Sequence, residues 1–109
     1  MEIKEALTIY EELSNSKHKG WFKALTEKAV NYAQIRVEWY LCRSSIQFSL
    51  IASERTHAHD DFIDTCDMLS LKMKESGEDV SWRLAIGTDR KSIGDFACLI
   101  HAVIGIKSR

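Results

Sequence analysis

The segment from Glu54 to Phe62, with the sequence ERTHAHDDF, places two histidines beside two aspartates. Imidazole and carboxylate groups are the side chains from which metal sites and proton-transfer sites are built. Whether these groups act together depends on the direction of each side chain, and therefore on the element that carries them.

A helix over this segment separates the two histidines. Each residue of a helix turns by about 100°, so His57 and His59 lie about 200° apart and cannot bind the same ion. His59 shares the spacing of the apolar Phe62 and Cys66, which favours a histidine at the edge of the core. His57 falls on the polar side, where aspartates one turn away are sufficient to explain it.

A small metal-dependent (phospho)hydrolase centred on His59 and Asp60 is the alternative function. An adjacent imidazole and carboxylate would hold a divalent ion that activates water. Such a site needs ligands from other helices, and the only nearby candidates of suitable type are His18, Asp95 and His101. Because no second histidine motif accompanies the pair, we predict a protein without enzymatic activity, bound metal or cofactor.

The composition limits the size and the compartment of the protein. With 109 residues, 45% hydrophobic and 28% charged, the chain predicts one helical domain over residues 1–109. Three widely spaced cysteines without a CxxC pair predict neither a disulfide framework nor a zinc knuckle. The acidic N-terminus is not a signal sequence, and no apolar run reaches the roughly 18 residues that span a bilayer. We expect a cytoplasmic protein with no membrane partner.

A DNA-binding transcriptional regulator that uses the C-terminal segment is the third hypothesis. A short helix, a glycine turn and a last helix follow one another there, but the stretch DFACLIHAVIG offers the major groove almost no polar side chains. The formal net charge of −1 also lacks the excess of positive charge that releases counterions from phosphates. We therefore do not expect nucleic acid as a partner.

The elements that must position these residues are predicted to be helices. The chain has no proline, and four of its five glycines fall at or after residue 77. The spacing of apolar residues predicts helices over 3–13, 21–52 and 56–75, a short helix between Asp79 and Gly87, and a last helix beginning near Ser92 with a capping box to Asp95. The fold class is all-α, a compact bundle of about four helices plus one short connecting helix.

The helix over 21–52, of about nine turns, is the central prediction. One stripe along it steps by three or four: Val30, Ala33, Val37, Leu41, Ser44, Phe48 and Ile51. A second stripe widens the buried face: Phe22, Leu25, Ala29 and Tyr32. Apolar residues also alternate near residues 34–51, so an α+β fold with a hairpin there is the alternative. The intervening CRSS lacks the residues of a tight turn, which favours the helix.

Aromatic and arginine side chains predict a protein partner, since these types are enriched at the centres of interfaces. The predicted function is a non-enzymatic helical interaction module that regulates or inhibits a larger protein assembly, of the kind that mobile elements and phages encode. We also expect a homodimer, formed through the last helix or the outer side of the long one. The predicted contact residues are Ile35, Arg36, Trp39, Tyr40, Trp82, Arg83 and Arg90.

Overall fold

The computed structural model describes all residues from Met1 to Arg109 and contains five helices without any strand. They are α1 (Ile3–Ser14), α2 (Lys19–Leu41), α3 (Ser45–Glu75), α4 (Ser81–Ile86) and α5 (Arg90–Lys107). Four long helices and one short connecting helix confirm the predicted all-α bundle. The alternative with a β-hairpin near residues 34–51 is wrong, because that stretch forms the end of α2 and the start of α3.

Helix α5 is the centre of the bundle and contacts each of the other four helices. Its apolar character on most sides follows from this position, because a helix surrounded by neighbours has no solvent face to keep polar. Helices α2 and α3 form an antiparallel pair beside it. The core contains these side chains: Ile9, Leu13, Leu25, Ala29, Tyr32, Ala58, Phe62, Cys66, Leu69, Met73, Trp82, Ile86, Ile93, Phe96, Ala97 and Ile100.

The predicted single helix over 21–52 is wrong, because the chain leaves the helix at Leu41 and reverses direction. Cys42 has extended backbone angles (φ −66°, ψ 130°), and Ser44 caps the next helix by accepting a hydrogen bond from the backbone N–H of Gln47 at 3.4 Å. A serine cap satisfies an N–H group that the first turn of a helix leaves free. Helix α3 therefore begins at Ser45, eleven residues before the predicted start at Thr56.

The break changes which stripe of α2 is buried. Leu25, Ala29 and Tyr32, from the stripe predicted to be secondary, are fully buried, whereas Val37 and Leu41 from the predicted main stripe are exposed. The spacing of Phe62, Cys66, Leu69 and Met73 by three or four residues predicts an apolar seam on α3, and it is confirmed because all four side chains are buried. Apolar spacing located helical faces correctly, but the helix ends determined which faces have a neighbour.

The two caps in the turn between α4 and α5 also refine the prediction. Helix α5 begins at Arg90 because the carboxylate of Asp89 accepts a hydrogen bond from the backbone N–H of Ser92 at 3.0 Å, so Ser92 is not the cap and its predicted capping box with Asp95 does not form. Gly87 ends α4 with a φ of 85°, a left-handed conformation that glycine adopts readily.

The α2–α3 pair extends beyond the rest of the bundle. Two side-chain hydrogen bonds join the pair to α5 next to this extension, one from Arg36 to Asp95 and one from Arg90 to Thr56. No residue from 37 to 55 is buried, and the molecule measures 48 × 30 × 22 Å. We call residues 37–55 the arm and the remainder of the molecule the body.

Candidate functional site

The arm carries most of the exposed large apolar side chains of the molecule. Six of them are 43% to 76% exposed: Val37, Tyr40, Leu41, Ile46, Phe48 and Leu50. The others are scattered over the body: Met1, Leu71, Leu84 and Ile106. Large exposed apolar patches on a monomer are often functional, so six such side chains on one small element make the arm the candidate contact surface.

The middle of the arm is nearly free of charge. Between Trp39 and Ser53, Arg43 is the only charged residue, in a chain of which 28% is charged. Interface centres are depleted in charged residues, because burying a charge without a partner is costly. This gap in the charge pattern is the sequence signal that could have located the arm; Leu41 and Phe48, predicted to be core residues, belong to it.

An aromatic and cationic cluster joins the two helices of the arm. The ring centroids of Trp39 and Phe48 are 5.1 Å apart, and the guanidinium carbon of Arg55 lies 4.6 Å from the Trp39 centroid. Such cation–π contacts contribute about 0.5–1 kcal/mol at exposed sites. The indole N–H of Trp39 and the Nε of Arg55 are buried without an acceptor in the chain. The arm therefore keeps its shape through ring stacking, with two of its hydrogen-bond donors unused.

At the base of the arm, Arg36 closes the contact between α2 and α5. Its Nη1 donates to Oδ1 of Asp95 and to Sγ of Cys98, both at 3.4 Å. Burial lowers the pKa of Arg36, but the charge and hydrogen bond of Cys98 and the hydrogen bond of Asp95 outweigh burial, and the pKa is raised. A Cβ atom on Gly94 would lie 2.9 Å from this guanidinium group, so the glycine permits the close approach of the two helices.

The structure divides the predicted contact residues between the arm and the body. Tyr40 is exposed at the end of α2 and packs edge-on against Trp39, with centroids 5.5 Å apart. Ile35 is half-buried just below the arm. Arg90 lies beside the base of the arm and donates to the Thr56 hydroxyl at 3.0 Å. Trp39 is half-buried against Phe48 and Arg55, so these four residues lie in the arm or beside its base.

The other three predicted contact residues have structural roles. Arg36 is buried as described, and Trp82 is a core residue of α4, so neither presents its side chain to a partner. Arg83 donates to Oδ1 of Asp67 at 2.6 Å and to the carbonyl of Gly87 at 2.9 Å, which ties α4 to α3. Arginine and tryptophan side chains are typical of interfaces, but they form the same hydrogen bonds and apolar contacts when they pack inside one chain.

The His59 and Asp60 side chains do meet, without further ligands. His59 Nδ1 lies 3.0 Å from Oδ1 of Asp60, and the imidazole packs edge-on against the Tyr32 ring. The structure contains no group of three or more His, Cys, Asp or Glu residues that could hold a metal ion. The other candidate ligands have different partners or none of this kind. Asp95 bonds to Arg36 and Lys91, and His101 is exposed on α5.

A serine, a histidine and a glutamate also meet where the α1–α2 turn contacts the α3–α4 turn, a cluster that the sequence did not predict. His18 Nε2 lies 2.8 Å from Ser76 Oγ and 3.8 Å from Glu78 Oε2. In a hydrolase triad the acid holds the opposite ring nitrogen, so this arrangement cannot relay a proton from the serine. Glu78 instead accepts hydrogen bonds from Ser16 and from the backbone of Lys17 and joins the two turns.

A cleft between α1 and α4 offers no catalytic pair. Its volume is about 340 Å³, and its lining residues are Glu5, Thr8, Ile9, Glu12, Ser81, Trp82 and Ala85. No histidine or cysteine is among them. Elsewhere, burial raises the pKa of the Cys66 thiol in the core, which keeps the sulfur in its unreactive form.

Comparison with models of known protein families, with curated proteins and with solved structures found no match. None of the five helices combines the length and the apolar composition that crossing a bilayer requires. Within the chain, the arm is the feature whose exposed apolar side chains the packing of the fold does not explain.

Proposed function

We propose that this protein is a non-enzymatic interaction module that binds another protein through its arm, and that it regulates or inhibits a larger assembly in this way. One observation carries the proposal: a 19-residue element with six large apolar side chains has no buried residue. Exposure of such an element to water is unfavourable, because burial of one large apolar side chain contributes roughly 1.5–3 kcal/mol of free energy.

The recognition mechanism is burial of an apolar helix face. Aliphatic side chains of the arm would enter a hydrophobic groove of the partner, which is the usual mode for helical ligands. Tyr40 combines a large apolar ring with a hydroxyl, the type of side chain that dominates binding energy at interfaces. Arg90, beside the base of the arm, would lie at the polar rim and contribute to specificity more than to affinity.

The cytoplasm is the compartment that we propose. Cys42, Cys66 and Cys98 are all free thiols, as is usual for proteins of a reducing compartment.

Affinity capture with paired variants tests the proposed function. The wild-type protein should capture a partner in constant stoichiometry from the cells that make it. The arm variant Leu41→Ser/Ile46→Ser/Leu50→Ser should lose that partner. The matched control changes three exposed apolar residues of the body, Leu71→Ser/Leu84→Ser/Ile106→Ser, and should retain it. Equal capture by all three proteins would show that the arm is not the binding element.

A further inference from the structure

The arm has two separate apolar edges, one on each helix. On α2, Val37 and Leu41 each lie two residues from Trp39, which faces α3; on α3, Ile46 and Leu50 each lie two residues from Phe48, which faces α2. Two residues along a helix correspond to a rotation of about 200°. Val37 and Leu41 therefore form an α2 edge, and Ile46 and Leu50 form an α3 edge on the opposite side of the arm.

The charges around the α3 edge are arranged for self-pairing. Arg43 lies at the tip of the arm and Glu54 near its base, and neither forms an ion pair within the chain. If two α3 edges pack antiparallel, with Ile46 of each copy opposite Leu50 of the other, Ser45 in the first turn of α3 falls opposite Ile51 of the other copy. Arg43 lies in the turn just before Ser45, on the side toward Glu54 of the other copy. Arg43 of each copy would then be near Glu54 of the other, and an ion pair between these two long side chains would join each end of the contact.

We infer that the α3 edge of the arm pairs antiparallel with the α3 edge of a second copy of this chain. A two-fold contact brings each side chain against the same surface of its partner, so a patch with many charges of one sign would repel itself. The α3 edge avoids this repulsion, because its centre is apolar and its two ends carry opposite charges. The contact would leave the α2 edge free for the target, so the inference rests on and extends the proposed function.

The size of the contact sets its strength. One edge presents two aliphatic side chains and about three helical turns, well below the roughly 800 Å² per partner of a standard stable interface. Contacts of this size are typical of transient complexes. We therefore expect a reversible dimer with a dissociation constant on the order of 10–100 µM.

Sedimentation equilibrium of the purified chain between about 5 and 500 µM tests the inference across that range. The average mass should rise from 12.5 kDa toward twice that value with increasing concentration. A mass that stays at 12.5 kDa throughout would overturn the inference. That result would leave the capture experiment, and with it the proposed function, untouched.

Edge variants test which side of the arm pairs. Ile46→Ser/Leu50→Ser should remain monomeric at the highest concentration. The matched control Val37→Ser/Leu41→Ser makes the same kind of change on the other edge and should dimerise like the wild type while losing the captured target. Equal self-association of the two variants would overturn the edge assignment, and circular dichroism would confirm that both remain helical.

A charge swap tests the antiparallel register. Arg43→Glu converts two attractive contacts per dimer into two repulsive ones, which should raise the dissociation constant about tenfold at low salt. Adding Glu54→Arg to the same chain should restore the wild-type value, because the pairs form again with reversed signs. A double variant that is no tighter than Arg43→Glu alone would overturn the register.

Discussion

The body and the arm contain similar apolar side chains, but the body buries them and the arm leaves them exposed. Phe62 lies in the body on α3 and is fully buried against Tyr32 and Phe96. Phe48 lies about four turns earlier on the same α3. It packs against the ring of Trp39 and leaves 43% of its surface in water. A helix that is continuous over 31 residues thus passes from a closed core into an open surface. The comparison shows that exposure here depends on neighbouring helices and not on residue type.

The largest effect that would test this contrast is truncation of the two phenylalanines. Phe62→Ala should lower the free energy of unfolding by about 3–5 kcal/mol, because it removes buried area and leaves a cavity. Phe48→Ala should cost about 1 kcal/mol, since solvent can fill the space. Urea denaturation measures both. Equal losses would mean that the arm is packed as tightly as the body.

The junction between the two regions should be sensitive to one methyl group. Gly94→Ala would place a Cβ atom 2.9 Å from the Arg36 guanidinium group, which would have to shift away from its partners Asp95 and Cys98. We expect a loss of about 1–3 kcal/mol in unfolding free energy, as for other overpacked sites. Gly105→Ala on the same helix has open space around it and is the matched control. An unchanged stability of Gly94→Ala would show that Arg36 moves aside freely.

Two carboxylates at the start of α5 should make the body sensitive to acid. Hydrogen bonds from Ser92 lower the pKa of Asp89; for Asp95, burial raises the pKa, but the hydrogen bonds and charges of Lys91 and Arg36 lower it further. Groups with a lowered pKa stabilise the fold fully above their ordinary pKa of about 3.9 and lose this contribution as pH falls through the lowered value.

The unfolding midpoint should therefore decline below about pH 4, because the unfolded chain binds protons on these carboxylates there, whereas the folded protein binds them only at lower pH. Asp89→Asn/Asp95→Asn should be less stable than the wild type at pH 7 and should decline less steeply on acidification. The effect is small, because both groups are largely in contact with water. Parallel pH curves for the two proteins would exclude these residues as the cause.

The smallest effect is expected for the arm itself. Leu41→Ser/Ile46→Ser/Leu50→Ser should change the free energy of unfolding of the monomer by no more than about 0.5 kcal/mol per residue, because exposed substitutions away from packing contacts are nearly neutral. Measurement at low micromolar concentration keeps self-association out of the result. A loss of several kcal/mol would place these side chains in the core and remove the basis of the binding proposal.

Much of the fold followed from apolar spacing, and the failures have one cause. The α3 seam from Phe62 to Met73 and the capping role of Gly87 were predictable, because both depend on residues close in sequence. The reversal at Cys42–Ser44 was missed, since the run CRSS contains neither glycine nor proline and the apolar period continues through it. The first helix ends at the extended Cys42 and the next begins at the Ser44 cap, so the predicted main stripe does not run along one continuous helix.

The sequence by itself determined that the chain is helical, that residues at three- and four-residue spacing share a face, and that His57 and His59 point apart. These properties follow from the geometry of one helix, which each short segment encodes alone. Only the tertiary structure decided which faces are covered. Trp82 and Arg36 became interior and Leu41 and Ile46 exterior because coverage depends on where a neighbouring helix ends, and that is set by contacts between residues distant in the chain.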